Sequence, residues 1–228
     1  CFNGGGLRMD CSVHAMACPV APSRVVANWP NARLIVCLRE PVSRTVSHWN
    51  MILDTKEDQE NEVDWSDFES AWEDSRLSAD TLYGAAISRW LQHFDRGSIL
   101  LIEANRMRHE PVVVLEEVCS HLTISSHSFE LDSVHNANIA SDRRPITAFG
   151  RLFRFIASLL PNFIKNPIVR RLQSRGVNVY KIPVLSSEAP PKREITEQQR
   201  ELLAADVNAD LVLLAESTGF DCSKWHIQ

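Results

Sequence analysis

Residues 32–38 (Ala-Arg-Leu-Ile-Val-Cys-Leu) form a run that is apolar apart from Arg33, stops at Arg39, passes through Glu40-Pro41 and enters a helical pattern. No feature constrains the fold more. A run of this length with no alternation reads as a strand of a parallel sheet, buried on both faces. Proline two residues past the strand end suits the first turn of a helix. Val42, Val46, Trp49 and Leu53 then recur at helical spacing, so residues 42–53 are expected to be helical. A strand feeding directly into a helix is the unit from which α/β folds are built.

The rest of the chain repeats the alternation. Residues 19–29 read as a short helix ending at Pro30. Residues 54–80 hold eleven carboxylates against Lys56 and Arg76. The first part of that stretch reads as a solvated loop and residues 65–76 as a helix. Residues 81–94 carry Tyr83, Ile87, Trp90, Leu91 and Phe94 on one side of a further helix. Residues 98–103 (Ser-Ile-Leu-Leu-Ile-Glu) are a second buried strand, and 111–122 a helix with proline in its first turn. Thr196 is a plausible N-cap for a helix running to Ser217, with Gly219 as its stop. The expected class is α/β, a three-layer parallel sheet flanked by helices. The expected organisation is one domain over 1–228: a core at 19–125, an irregular and basic helical region at 126–194, and a C-terminal helix and tail at 195–228.

Composition excludes several classes. The formal net charge is −5, which argues against a general nucleic-acid binder. The longest apolar region, 152–164, is interrupted by Arg154 and Pro161 and is too short to span a bilayer. Residues 143–175 hold eight Lys or Arg and no Asp or Glu. The expected reading of this stretch is a helix packed on the core with a solvated basic face; the alternatives are a face turned to an anionic acceptor or the cofactor and, for 146–175, a helix lying on a membrane surface. The six cysteines fit no zinc spacing and include no C-x-x-C, so no metal is expected. Cys37 and Cys119 read as small buried hydrophobes. A cytoplasmic, reducing setting follows as the default; the alternative is a Golgi lumen, reached through a membrane anchor upstream.

The strand end at Arg39 also suits an anion. A helix N-terminus offers free backbone N–H groups and the positive end of its dipole. Arg39 can fork onto phosphate oxygens, and Ser47, about two helical turns on, can donate its hydroxyl.

Leu38-Arg39-Glu40-Pro41-x-x-Arg44-x-x-Ser47 resembles the motif of sulfotransferases that use 3′-phosphoadenosine 5′-phosphosulfate (PAPS). In that family the first arginine and last serine hold the 3′-phosphate. Residues 83–122, with Tyr83, Trp90-Leu91, Phe94, a strand ending in Glu103 and a Pro111-led helix, are similar to the family's following segment. Residues 211–225, with Thr218-Gly219 and Trp225, resemble the usual ending of glycan-type and bacterial members. The resemblance covers about 28–125 and 195–226 well, and 126–194 poorly. It implies a P-loop-type sheet and sulfuryl transfer from PAPS to a hydroxyl or amine of a carbohydrate or small molecule. The alternative is a catalytically inactive nucleotide-binding or interaction domain of the same fold. A second rival, a P-loop kinase-like phosphotransferase, shares the parallel-sheet architecture but would need a Walker lysine and magnesium ligands, and neither is visible in the sequence.

Residue by residue, the resemblance makes Arg39 and Ser47 cofactor-binding. It makes Asn136, in a His-Asn-Ala-Asn run, and Lys192 and Arg193, in a lid segment, further candidates. Met9-Asp10-Cys11-Ser12 is similar to the family's Glu-Lys-Ser/Thr segment, with Asp10 where the general base stands and Cys11 replacing lysine. His14 is the competing base. The family's 5′-phosphosulfate loop has no match: Asn3-Gly4-Gly5-Gly6-Leu7 has glycines but no following lysine. The expectation is that this loop and the first strand lie upstream of Cys1, and that the chain alone turns over little.

Overall fold

The computed structural model describes residues 6, 8–55, 63–126, 128–129, 131, 147, 149–150, 152 and 191–227. In chain order the elements are α1 (Ala21–Asn28), β1 (Leu34–Leu38), α2 (Pro41–Thr55), α3 (Phe68–Glu73), α4 (Ser75–Thr81), α5 (Tyr83–Leu91), β2 (Ile99–Glu103), α6 (Arg106–His109), α7 (Pro111–Leu122) and α8 (Glu197–Thr218). Single 3-10 turns stand at Val13–Ala15, Arg96–Ser98 and Ser223–Trp225. The described residues fall into two compact units. The larger is drawn from Cys1–Val46, Asp67–Phe129 and Ile195–Gln228, the smaller from Ser47–Ser66 and Glu130–Glu194.

In the larger unit β1 and β2 pair in parallel, in register from Leu34 opposite Ile99 to Leu38 opposite Glu103. The α/β class read from the sequence is the observed one. One detail differs. Leu38 is fully buried, but Ile35 and Cys37 are exposed, so β1 is not covered on both faces and Cys37 is not a core residue. Alternate strand residues face opposite sides, and β1 has one neighbouring strand among the described residues. Cys119, on α7, is buried as expected.

Two helix boundaries were misplaced by periodicity. Residues 65–76 are not one helix: α3 ends and α4 begins around Asp74, whose backbone is extended. Asp67 caps α3 by accepting the Ser70 N–H, and Asp74 caps α4 by accepting the Arg76 N–H. Aspartate side chains that compete for backbone donors start helices and seldom continue them. By contrast α7 keeps its Pro111 start. The α8 helix opens on a full capping box between Thr196 and Gln199 and closes at Gly219 with φ 71°.

The core of the larger unit gathers Phe68, Leu77, Ile87, Ile102, Val114, Leu203, Leu211 and Leu214, each at most 1% exposed. At Gly84 α5 and α8 approach closely. The Asp210 carboxylate on α8 accepts the Gly84 N–H at 2.6 Å and the Ala85 N–H at 2.7 Å. It thus caps a helix far away in sequence. Burial pushes this carboxyl up and the two N–H donors pull it down, with burial the larger effect.

In the smaller unit Trp65 is 3% exposed; the Trp49 indole donates to its carbonyl at 2.7 Å and the His48 ring meets it edge-on at 6.0 Å.

Candidate functional site

The site is built where β1 hands the chain to α2. Glu40 is the N-cap residue in position, and both its carboxylate oxygens are used: Oε1 accepts the Val42 N–H at 2.8 Å and Oε2 the Ser43 N–H at 2.7 Å. The amides that the sequence reading left free for an anion are therefore already taken. A carboxylate tethered one residue before the helix satisfies its first turn without any ligand. Glu40 is thereby also withdrawn from pairing with Arg39.

Arg39 is exposed, and its guanidinium has no hydrogen-bond or ion-pair partner among the described residues. Its backbone is held instead: the Tyr83 hydroxyl donates to the Arg39 carbonyl at 2.9 Å. Ser47 lies half-buried on α2, and its hydroxyl likewise has no partner among the described residues.

Arg44, the other basic residue of the motif, does something different. Its guanidinium meets the Asp80 carboxylate at 2.6 Å and donates to the Thr81 hydroxyl at 3.2 Å. The Thr45 and Thr81 hydroxyls share a hydrogen bond of 2.8 Å, Thr45 also donates to the Pro41 carbonyl, and both threonines are buried. This network ties the start of α2 to the end of α4. The Asp80 side chain is 12% exposed, so removing its cation leaves a charge largely out of water. Arg44→Ala is expected to destabilise the fold by about 2 kcal/mol, read as a lower urea midpoint. An unchanged midpoint would make Arg44 a surface charge. Sequence reasoning missed Asp80 because Ser78-Ala79-Asp80-Thr81 matches no motif.

Asp80 also brings in one of the two candidate bases. His14 Nδ1 stands 3.6 Å from Asp80 Oδ2, with the imidazole largely exposed. The segment carrying it is pinned to α5: the Trp90 indole donates to the Met16 carbonyl and Arg89 to the Ala17 carbonyl, each at 3.0 Å. Asp10 is exposed and turned back on its own chain, accepting the Ser12 N–H at 2.9 Å. Hydrogen bonds from Ser12 hold its carboxyl below the usual carboxylate range.

The lid candidates fall in the smaller unit. Arg193 exchanges backbone hydrogen bonds with the Asn50 side chain, 2.8 and 2.9 Å, and its guanidinium engages Asp54 at 3.0 Å. Ser47, Asn50 and Asp54 follow a three-then-four spacing that puts them on one face of α2. Lys192 is exposed. Asn136 lies outside the described residues, as do the segment 3–5 and nearly all of the basic stretch 143–175. Among the described residues no helix is long and apolar enough to cross a membrane, and no group of His, Cys, Asp or Glu is arranged to hold a metal.

Comparison with known proteins shows the family. A family model described as "Sulfotransferase domain" matches residues 18–144, more than half of the chain. Heparan sulfate glucosamine 3-O-sulfotransferases 3B1 and 3A1 of Mus musculus are each 28% identical over 102 residues, covering 43% of this chain and 26% of each relative. The crystal structure of a sulfotransferase from Alicyclobacillus acidocaldarius superposes with a TM-score of 0.51 at 18% identity, covering 94% of this chain and 65% of that one. The chain thus matches only about a quarter of the length of the curated relatives and about two thirds of the bacterial structure. The matched region contains β1, Arg39, α2 and Ser47, and the chain belongs to the sulfotransferase domain family.

Proposed function

We propose that this chain holds the 3′-phosphate end of PAPS and serves sulfuryl transfer from it to a hydroxyl or amine of a carbohydrate or small-molecule acceptor. The observation that carries the reading is the Arg39 guanidinium, exposed just past the end of β1 and uncommitted among the described residues while its backbone is fixed. A phosphate dianion is a ligand that such a fork recognises in two-point fashion. Ser47, on α2, is the second residue that the family resemblance proposes for that phosphate. Glu40 keeps the helix amides out of this contact, so recognition falls on side chains.

When bound, PAPS supplies an activated sulfuryl group; what this chain adds is placement and proton handling. Of the two candidate bases the geometry favours His14. Asp80 faces Nδ1 and leaves Nε2 for an acceptor hydroxyl, whereas the lowered carboxyl of Asp10 is the poorer proton acceptor. Asp10 stays an exposed neighbour in this scheme. Lys192 remains a candidate donor contact, while the Arg193 charge is engaged by Asp54. The mouse relatives are named for action on heparan sulfate glucosamine, which supports a sugar hydroxyl as the acceptor.

The test is calorimetric titration with 3′-phosphoadenosine 5′-phosphate against adenosine 5′-phosphate. The 3′-phosphate is expected to tighten binding by at least tenfold, about 1.4 kcal/mol, and the gain should shrink with added salt. Equal affinity for the two nucleotides would sink the assignment.

A further inference from the structure

Arg39 lies just past the β1–β2 ladder. The last ladder-type bond is donated by the Ala104 N–H to the Leu38 carbonyl at 2.7 Å. The next carbonyl, that of Arg39, finds no backbone donor among the described residues; a side chain supplies one. The Tyr83 hydroxyl, on the first residue of α5, reaches it at 2.9 Å. Tyr83 is 3% exposed, and burial pushes its phenol up to about 12, so it remains a protonated donor throughout the range in which the protein works.

The ring is in turn braced. Tyr83 meets Trp225 edge-on with centroids 6.3 Å apart, and Trp225 packs on Phe220 at 5.3 Å. Trp225 is 6% exposed and sits in the 3-10 turn that follows Gly219. A chain of contacts thus runs from the C-terminal turn through Tyr83 to the peptide plane that carries Arg39.

That plane matters because nothing else among the described residues orients the Arg39 side chain. A long, unpartnered arginine starts from whatever direction its Cα–Cβ bond takes, and ordering its several rotors opposes binding. Holding the carbonyl fixes that direction before a ligand arrives. We infer that Tyr83 is a positioning residue for phosphate recognition: its hydroxyl sets the backbone of Arg39 so that the guanidinium is presented to a 3′-phosphate, with the Phe220–Trp225 turn as its buttress. The inference rests on the function proposed above and adds a residue, Tyr83, that touches no ligand.

Tyr83→Phe removes the hydroxyl and keeps the ring packing. Calorimetry with 3′-phosphoadenosine 5′-phosphate should show roughly fivefold weaker binding, the equivalent of one hydrogen bond, with adenosine 5′-phosphate binding unchanged. The effect should vanish in an Arg39→Ala background, because the two residues act on one contact. Equal weakening of both nucleotides would overturn the inference, as would an effect that persists without Arg39. If Arg39→Ala abolishes the preference for the 3′-phosphate but Tyr83→Phe leaves it intact, only this inference fails. If Arg39→Ala leaves the preference intact, the phosphate grip itself fails and this inference with it. Should Tyr83→Phe not fold, Trp225→Phe removes the buttress while leaving the hydroxyl. The same selective loss, smaller in size, is expected there, and its absence counts against the inference.

Discussion

Arg39→Ala is expected to weaken binding of 3′-phosphoadenosine 5′-phosphate about 100-fold, as fits the loss of a bidentate, charge-assisted contact, while the urea midpoint stays within experimental error of the parent. The two halves of that result come from one observation. The guanidinium is exposed and makes no hydrogen bond or ion pair among the described residues, so its removal leaves nothing stranded. Whatever it contributes must appear on binding. Arg44, three residues into α2, is the opposite case, since its charge is already matched by Asp80. Arg39→Lys is the informative intermediate. It keeps the charge but loses the planar fork, and should recover only part of the affinity. Calorimetry checks the affinity and urea denaturation the stability. Full affinity in Arg39→Ala would remove the basis of the proposed function.

The largest effect on stability is expected at Gly84. Its amide lies against α8 so closely that a Cβ there would stand 2.3 Å from the Asp210 carbonyl oxygen and 2.9 Å from the Leu214 nitrogen. Both are backbone atoms of a helix and cannot swing aside as a side chain would. Gly84→Ala must therefore push α5 from α8, loosening the Asp210 cap on Gly84 and Ala85 and the packing of Ile87, Leu211 and Leu214. Intrinsic helix propensity points the other way, favouring alanine by about 1 kcal/mol. Overpacking and the lost hydrogen bonds outweigh it, for a net loss of about 3 kcal/mol. Against a typical domain stability of roughly 5–15 kcal/mol that is a large share. Urea denaturation reads it directly; a midpoint raised by the better helix former would show that the close approach is not real.

Local rules explain what was legible in the chain. The run 32–38 reads as a strand because it is apolar and ends in a turn; Pro111 and the Thr196–Gln199 pair mark helix starts because they satisfy or remove orphan N–H groups. Those rules act over a few residues, so they also located Arg39 at a strand end and Ser47 on the following helix. They misjudged residues 65–76 because apolar spacing does not register an aspartate that accepts the next turn's amides. They misjudged β1 burial because a sequence run does not count neighbouring strands.

The sequence by itself determined the α/β class and the parallel direction of its two described strands, and it named the residues proposed to meet a phosphate. The tertiary structure alone decided which of those residues are available. Glu40 fills the amides of α2, Asp80 claims Arg44, and Arg39 is left open while Tyr83 holds its backbone. The reason is distance along the chain. Arg44 and Asp80 are 36 residues apart, Arg39 and Tyr83 are 44, and Gly84 and Asp210 are 126. Periodicity and capping carry no information at such separations; the path of the folded chain sets those contacts.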